Sequence, residues 1–500
     1  MTDFDLAIIG GGINGTASAR DAAGRGLRVL LVEQNDLASG TSSASSKLIH
    51  GGLRYLEHGA FRLVREALHE REVLLRMAPH VVRPMRFMLP PAAKLRSPLL
   101  LRLGLFIYDR IGGRALLPAT RTIDLTHHPV GMPLKRNFRY GFEYSDCWVD
   151  DARLVVLNAL DAAERGADIR TRTRCTRAER RQDWELVLHC RGRRDVVTAR
   201  VLINASGPWI GNVAEHVLRT PLQAPVRLVK GSHIVVRRNF NHEHGYTLQA
   251  ADGRVVFALP FASDFTLIGT TDEAFIGDVN APSPDGGEMT YLIGVFNEYF
   301  RDAISTTDVV YAFAGVRSLQ DDGADKPEDV TRDYALALDE PFREAPVLTV
   351  YGGKITTSRR LAEAVMEKVG HFFQTHPPWT AQSNLPGGDF PAEEFPLQAI
   401  RARNRWPFLT EACARRMVGA YGTRIERVLG NAKTAEDLGP RLVGDLSGAE
   451  VRYLITQEWA QTAEDVLWRR SKLGLIADEE ERAALGDFMA NNAINAGRRS

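Results

Sequence analysis

Residues Leu6 to Gly15 read Leu-Ala-Ile-Ile-Gly-Gly-Gly-Ile-Asn-Gly, and Thr16 to Glu33 follow as Thr-Ala-Ser-Ala-Arg-Asp-Ala-Ala-Gly-Arg-Gly-Leu-Arg-Val-Leu-Leu-Val-Glu. Leu6 to Ile9 is a short apolar run, as expected of a strand buried on both faces of a parallel sheet. The next residues fit G-x-G-x-x-G. Gly10 permits the tight turn, Gly12 lets the backbone approach a pyrophosphate, and Gly15 lets the following helix pack closely on the strand. An alanine-rich helix then runs to the turn at Gly24 to Gly26, and Leu27 to Val32 forms a second strand ending at Glu33. Free N–H groups and the positive end of the helix dipole receive the pyrophosphate. Glu33, about twenty residues past the loop, is placed to accept hydrogen bonds from ribose hydroxyls. Gly10, Gly12, Asn14, Gly15 and Glu33 are therefore candidate dinucleotide contacts, although this motif alone does not separate FAD from a nicotinamide.

Three further glycine-marked segments make that choice. Thr41-Ser-Ser-Ala-Ser-Ser-Lys47 runs into Leu48-Ile-His-Gly-Gly-Leu-Arg-Tyr-Leu56, where the backbone can approach a flat ligand. Its candidates are Thr41, Ser42, Ser46, Lys47, Leu48, His50 and Gly51. Val201-Leu-Ile-Asn-Ala-Ser-Gly-Pro-Trp209 reads as a strand, a turn and a helix start with proline at its first position, marking Ala205 and Gly207. Val347 to Thr357 repeats the pattern, with Gly353, Lys354, Ile355 and Thr356 as candidates. Lys354 and the helix start there would direct positive potential at the flavin N1/O2 edge, where negative charge gathers on reduction. A nicotinamide dehydrogenase needs only the first loop. The set predicts FAD on a discontinuous domain.

The bulk properties bound the rest. A chain of 500 residues requires more than one domain, and 44% hydrophobic with 25% charged residues is a globular composition. Formal net charge of +1 gives no field drawing it to nucleic acid. Cys147, Cys175, Cys190 and Cys413 have neither metal nor redox-motif spacing, so reduced thiols, no metal site and a cytoplasmic location are expected. A transmembrane helix takes roughly 20 apolar residues. The best run, Leu99 to Tyr108, is interrupted by Arg102.

Several long segments carry a resemblance. TSSASSKLIHGGLRYLE (Thr41 to Glu57), GFEYSDCWVDDARLV (Gly141 to Val155), KGSHIVV (Lys230 to Val236), IGTTD (Ile268 to Asp272), AGVR (Ala314 to Arg317), TRDY (Thr331 to Tyr334), YGGKITT (Tyr351 to Thr357) and DVLWRRSKLG (Asp465 to Gly474) resemble the FAD-dependent glycerol-3-phosphate dehydrogenases. Ser206, Ser318 and Ser358 stand where that family commonly has threonine, proline and tyrosine. The resemblance implies a fold related to D-amino-acid oxidase, with FAD held non-covalently, and oxidation of sn-glycerol 3-phosphate to dihydroxyacetone phosphate. It also implies electron delivery to a membrane quinone, peripheral association with the inner face of the cytoplasmic membrane, and a homodimer.

A phosphomonoester carries nearly two negative charges, so its site needs several cations or donors. Arg54, Arg317 and Arg332 are the candidate phosphate ligands, because arginine's planar fork matches phosphate oxygens. Lys354, Tyr55 and Thr270 complete the substrate set. Oxidising an alcohol by hydride transfer to flavin N5 also requires loss of the hydroxyl proton, and histidine suits that task. His233, a titratable group in an apolar strand, is the candidate base beside the catalytic cations Lys354 and Arg317, with His50 and Tyr55 behind it. An oxidase of the same substrate, a related flavoenzyme for an amino or hydroxy acid, and a flavin-binding sensor remain the alternatives.

The expected architecture is α/β: a Rossmann-like FAD domain (1–69, 140–225, 345–376), an inserted antiparallel-sheet substrate domain (70–139, 226–344) and a C-terminal helical domain (385–500). Pro377 to Pro396 is read as a linker. Arg83, Arg86, Lys94, Arg96 and Arg102, mixed with Leu99, Leu100, Leu103 and Phe106, are read as a basic, apolar surface for monotopic membrane contact.

Overall fold

The computed structural model describes residues 2–53, 59–91, 98–112, 116–324 and 332–497. Strand Phe4–Ile9 lies at the centre of the first sheet, parallel to Val29–Val32 on one side and to Arg193–Asn204 on the other. Val347–Tyr351 continues the parallel order beyond Arg193–Asn204, and Asp168–Arg170 continues it beyond Val29–Val32. Residues 6–9, 29–32 and 201–203 are apolar at successive positions because both faces are covered. Leu6, Ile8, Leu31 and Ile203 pack under helices Ile13–Gly24, Asp151–Glu164 and Ser358–Val369. Ala7, Ile9, Leu30 and Leu202 pack on the other side against Trp184, Leu186 and Val217.

Chain order now places the glycine loops. The turns after Ile9, Asn204 and Tyr351 leave the carboxyl ends of three adjacent parallel strands, where ligands bind in open α/β sheets.

The second sheet is antiparallel except for the pairing of Gly245–Gln249 with Val82–Leu89. Its main order is Glu273–Ala274, Val226–Arg237, Phe265–Gly269, Val255–Phe261, Gly245–Gln249, Val82–Leu89, Tyr140–Val149 and Leu48–Ile49. Val309–Gln320 pairs along nearly the whole of Val226–Arg237. Helix Gly286–Tyr299, held at its start by an Asp285/Glu288 capping box, covers one face through Leu292 and Phe296 against Ile234, Leu248 and Ile268. The other face looks towards the first sheet's loops.

Three strands fall on the opposite side of the expected boundaries. Leu48–Ile49 and Tyr140–Val149, read as part of the FAD domain, pair in the second sheet. Ala335–Asp339, read as part of the substrate domain, edges the first sheet beside Val347–Tyr351. Local pattern reports that a segment is a strand; only its distant partner decides the sheet.

The C-terminal region builds its own core from helices Phe395–Arg405, Glu411–Tyr421, Gly448–Gln457 and Glu479–Gly497. It docks through buried charge. Arg153 meets Glu458, and Arg470 forks onto Asp36 with N···O distances of 2.8 and 2.9 Å. The proline- and glycine-marked linker is pinned rather than loose. Arg20 donates to Ser383 O at 3.0 Å, and Leu385 N donates to Met77 O at 2.8 Å.

Candidate active site

A cavity of ≈ 930 Å³ lies between the first sheet's loops and the inner face of the second sheet. Its glycine loops are cross-braced by the residues picked out from sequence. Gly11 N donates to Glu33 Oε2 at 2.7 Å, and Asn35 N donates to Oε1 at 2.8 Å. Burial raises the Glu33 carboxyl, and these two backbone donors oppose the shift. Ser42 Oγ accepts from Ile13 N at 2.9 Å, capping the first helix from the serine loop. Asn14 Nδ2 donates to Gly352 O at 3.0 Å, tying the first loop to the Gly352-Gly353 turn. A Cβ on Gly10 would meet Ala205 O at 2.4 Å, so these two loops touch by backbone.

Most of the expected cofactor positions line this cavity: Gly10, Gly12, Asn14, Glu33, Thr41, Ser42, Ser46, Leu48, His50, Ala205, Gly207, Gly353, Lys354, Ile355 and Thr356. Three stand behind its wall. Gly15 is a packing glycine, since a Cβ there would meet Gly10 O at 1.9 Å. Gly51 is buried under Leu68, with its N–H donating to Tyr108 Oη at 2.8 Å. Lys47 is 2% exposed, its ammonium 2.7 Å from Asp151 and 2.8 Å from Ser43 O, so it braces the serine loop from beneath. Its charge requires that partner; a lone ammonium there would stay unsolvated.

On the substrate side Thr270, Asp272, Arg317, Arg332 and Lys354 line one end of the cavity. Asp272 carries both arginines: Arg317 approaches Oδ1 and Arg332 approaches Oδ2, each at 2.7 Å. One carboxylate thus presents two guanidinium forks side by side. Arg54 and Tyr55 lie outside the described residues. His233 is 1% exposed and does not border the cavity. Its ring covers Gly269 and stacks on Phe313, and its Nε2 is 3.0 Å from Ser46 Oγ, which does border it. Burial, then the charges of Lys47 and Arg317, hold its pKa well below the ordinary histidine value. His50 borders the cavity directly, and burial together with Lys354 pulls it down to about 3.

The comparisons with known proteins fit this geometry. The model of the FAD dependent oxidoreductase family matches residues 5–358, and that of the C-terminal domain of alpha-glycerophosphate oxidase matches residues 378–492. The chain is 48% identical over 494 residues to a glycerol-3-phosphate dehydrogenase of Pseudomonas aeruginosa, covering 97% of this chain and 95% of that one. It is also 48% identical over 492 residues to a D-erythritol 1-phosphate dehydrogenase of Brucella abortus, covering 97% and 98%. The chain belongs to the FAD-dependent oxidoreductases, in their glycerol-3-phosphate dehydrogenase branch. The fold agrees with that of the glycerol-3-phosphate dehydrogenase from Bacillus halodurans solved with FAD, at a TM-score of 0.75 and 24% identity over 98% of this chain and 94% of that one. The expected α/β class and the FAD cofactor are thereby borne out.

The residues of this flavoenzyme fit FAD on their own account. A Cβ on Gly353 would meet Asn14 and Leu361, so glycine lets this turn close against the first loop at the cavity wall. Asn14 Oδ1, buried at the cavity wall, has no hydrogen-bond partner among the described residues. Sequence reading passed over Asp272, although IGTTD contained it, because an acid beside an anion site looks repulsive until its two arginines are seen. It also passed over Tyr144, Asp146, Thr247 and Gln249, which lie in strands buried at nearly every position. Asp146 lines the cavity, pushed up to about 6 by burial against the opposing pull of Arg71.

Proposed function

We propose that this flavoenzyme oxidises sn-glycerol 3-phosphate to dihydroxyacetone phosphate and delivers the electrons to a membrane quinone. The observation that carries the substrate is the Asp272 bridge, which sets Arg317 and Arg332 together at the cavity end bordered by Lys354. A carboxylate needs one such fork; a phosphate, with close to two charges, suits several. Arg317, Arg332 and Lys354 bind the phosphate, Thr270 orients the substrate, and Arg54 and Tyr55 join them on the strength of the sequence motif.

FAD supplies the acceptor for the hydride that leaves C2. The chain's part is to hold C2 in line and to take the hydroxyl proton. Ser46 borders the cavity and reaches His233 Nε2, so Ser46 and His233 together form the proton route. A neutral imidazole is required to receive that proton, and burial keeps His233 neutral. Lys354 precedes the helical turn Ile355–Thr357 and adds its charge to that turn's positive end.

Support for the quinone comes from helix Pro98–Ile111, which turns Leu101, Leu105 and Tyr108 inward and leaves Leu99, Leu100, Leu103 and Phe106 exposed beside Arg102 and Arg110. No described helix is long and apolar enough to cross a membrane. An exposed apolar face with cations at its margin suits the interface of a bilayer. Two of the arginines expected there are occupied elsewhere: Arg83 is sandwiched by Trp148 and Phe395, and Arg86 is paired with Glu143. Lys94 and Arg96 lie outside the described residues.

A second reading, a four-carbon polyol phosphate as substrate, is favoured by the similarity to the D-erythritol 1-phosphate dehydrogenase. The test is turnover of each phosphate on anionic vesicles containing quinone. Dihydroxyacetone phosphate appearing with one quinol per turnover supports the first reading. Hydrogen peroxide in place of quinol contradicts the acceptor, and turnover of the four-carbon substrate alone contradicts the substrate.

A further inference from the structure

Direct cross-strand pairs place Phe313, His233, Gly269, Phe257 and Thr247 in one row across the second sheet. Paired residues share a face, and so do residues two apart on one strand. Arg317 therefore stands on the same face at one end, and Gln249 at the other. Four strand spacings, ~19 Å, separate their two strands. The Arg317 guanidinium leans inward over Gly231, where an added Cβ would come within 2.6 Å of it.

The two ends differ in chemistry. The arginine end is cationic, whereas the far end carries hydroxyls: Tyr144 Oη and Thr247 Oγ1 lie 2.7 Å apart and both residues line the cavity, next to Asp146, whose carboxylate is taken up by Arg71 and Tyr108. Gln249 completes this end. Its backbone is satisfied, with N–H donating to Tyr299 Oη at 3.2 Å and C=O accepting from it at 2.8 Å. Its side chain is different. Gln249 is 4% exposed and lines the cavity, and its Oε1 has no hydrogen-bond partner among the described residues. A buried amide oxygen left without a partner is costly, so one held at a cavity wall points to a ligand.

We propose that Gln249, beside the Tyr144–Thr247 pair, is a hydroxyl-binding subsite for the polyol end of the substrate remote from its phosphate. The proposal rests on the polyol phosphate reading above and deepens it. A primary alcohol both donates and accepts, and an amide offers it the complement of each. Among the described residues that line this end none is a cation for a second anionic group to meet, and an apolar tail would leave the amide unpaired. The same subsite gives the hydroxyls of a four-carbon chain a place to extend.

The experiment compares sn-glycerol 3-phosphate with propane-1,2-diol 1-phosphate, which keeps the phosphate and the reacting hydroxyl and lacks only the terminal one. Each is assayed by kcat/KM and by anaerobic flavin bleaching, using FAD-loaded wild type, Gln249→Leu and Thr247→Val. Wild type is expected to prefer glycerol 3-phosphate by at least about 100-fold, as a site built around a hydroxyl rejects its deoxy analogue. In Gln249→Leu that preference should shrink to within about threefold, mainly by loss on glycerol 3-phosphate, and Thr247→Val should reduce it part of the way. An unchanged preference in a Gln249→Leu protein of normal FAD content overturns the subsite. So does an equal loss on both compounds with a shifted flavin spectrum, which would turn the amide towards the cofactor. Should Gln249→Leu fail to fold, Thr247→Val with an unaltered preference overturns it as well. No bleaching of wild type by either compound overturns the polyol phosphate reading itself, and the subsite with it; bleaching with an unaltered ratio overturns the subsite alone.

Discussion

At the scale of single residues, Asp272 explains how two arginines can wait beside one another for an anion. Its carboxylate divides between Arg317 and Arg332, which fixes both forks and lowers their mutual repulsion. Arg317→Ala should raise KM for glycerol 3-phosphate on the order of 10- to 100-fold, the loss of one charge-assisted contact, while FAD content stays at wild type. Loss of FAD in that variant would move Arg317 into the cofactor framework. Ser46 offers a second check, since it alone joins the cavity to His233 Nε2 among the described hydrogen bonds. Ser46→Ala should lower kcat on the order of 100-fold with little change in KM, the scale of a lost proton-transfer group; an unaltered kcat would send the proton elsewhere. The arginines and the histidine were legible in sequence because charged residues beside glycine turns and in apolar strands are conspicuous. Asp272 and Gln249 were not, because their meaning lies in which distant side chain they meet or fail to meet.

At the scale of elements, the loop after Glu33 shows why the last domain bears on the first. Asp36 accepts Arg470 at 2.8 and 2.9 Å and Arg469 at 2.5 Å, while Arg172, whose N–H bonds Asn35 O, reaches Asp465 at 2.6 Å. The turn Asp465–Arg470 therefore grips the segment that follows Glu33. Arg470→Met leaves Asp36 without one of its buried partners and should loosen that segment. The expected result is substoichiometric FAD after purification, with full kcat restored by added FAD. Full FAD content with only a lower Tm would make the contact purely structural. The opening strand, loop and helix were legible because residues Leu6 to Glu33 carry their own period and turn chemistry. The membership of Leu48–Ile49, Tyr140–Val149 and Ala335–Asp339 was not, because each pairs with a strand far away in sequence.

At the scale of the whole molecule, burial of histidines sets a pH limit. His50 and His80 are pulled down to about 3 and His233 well below its ordinary value, in each case by burial first and then by nearby cations. The unfolded chain protonates them near 6.5, whereas the folded chain does not. Stability is therefore full above that value and falls as pH drops below it, approaching about 1.4 kcal/mol per pH unit for each histidine. Asp146, pushed up to about 6, acts in the opposite sense and offsets part of the loss below that pH. The Tm of the holoenzyme should accordingly fall from pH 7 to pH 6; a flat Tm would contradict this assignment. In the proposed function, FAD bound by the four glycine loops lies next to the Asp272-bridged arginines, where it can take electrons from a bound polyol phosphate. Anaerobic stopped-flow mixing of the FAD-loaded protein with sn-glycerol 3-phosphate tests it most directly. The prediction is bleaching of the oxidised flavin bands within one turnover time, and persistence of those bands with FAD verified as bound would contradict it.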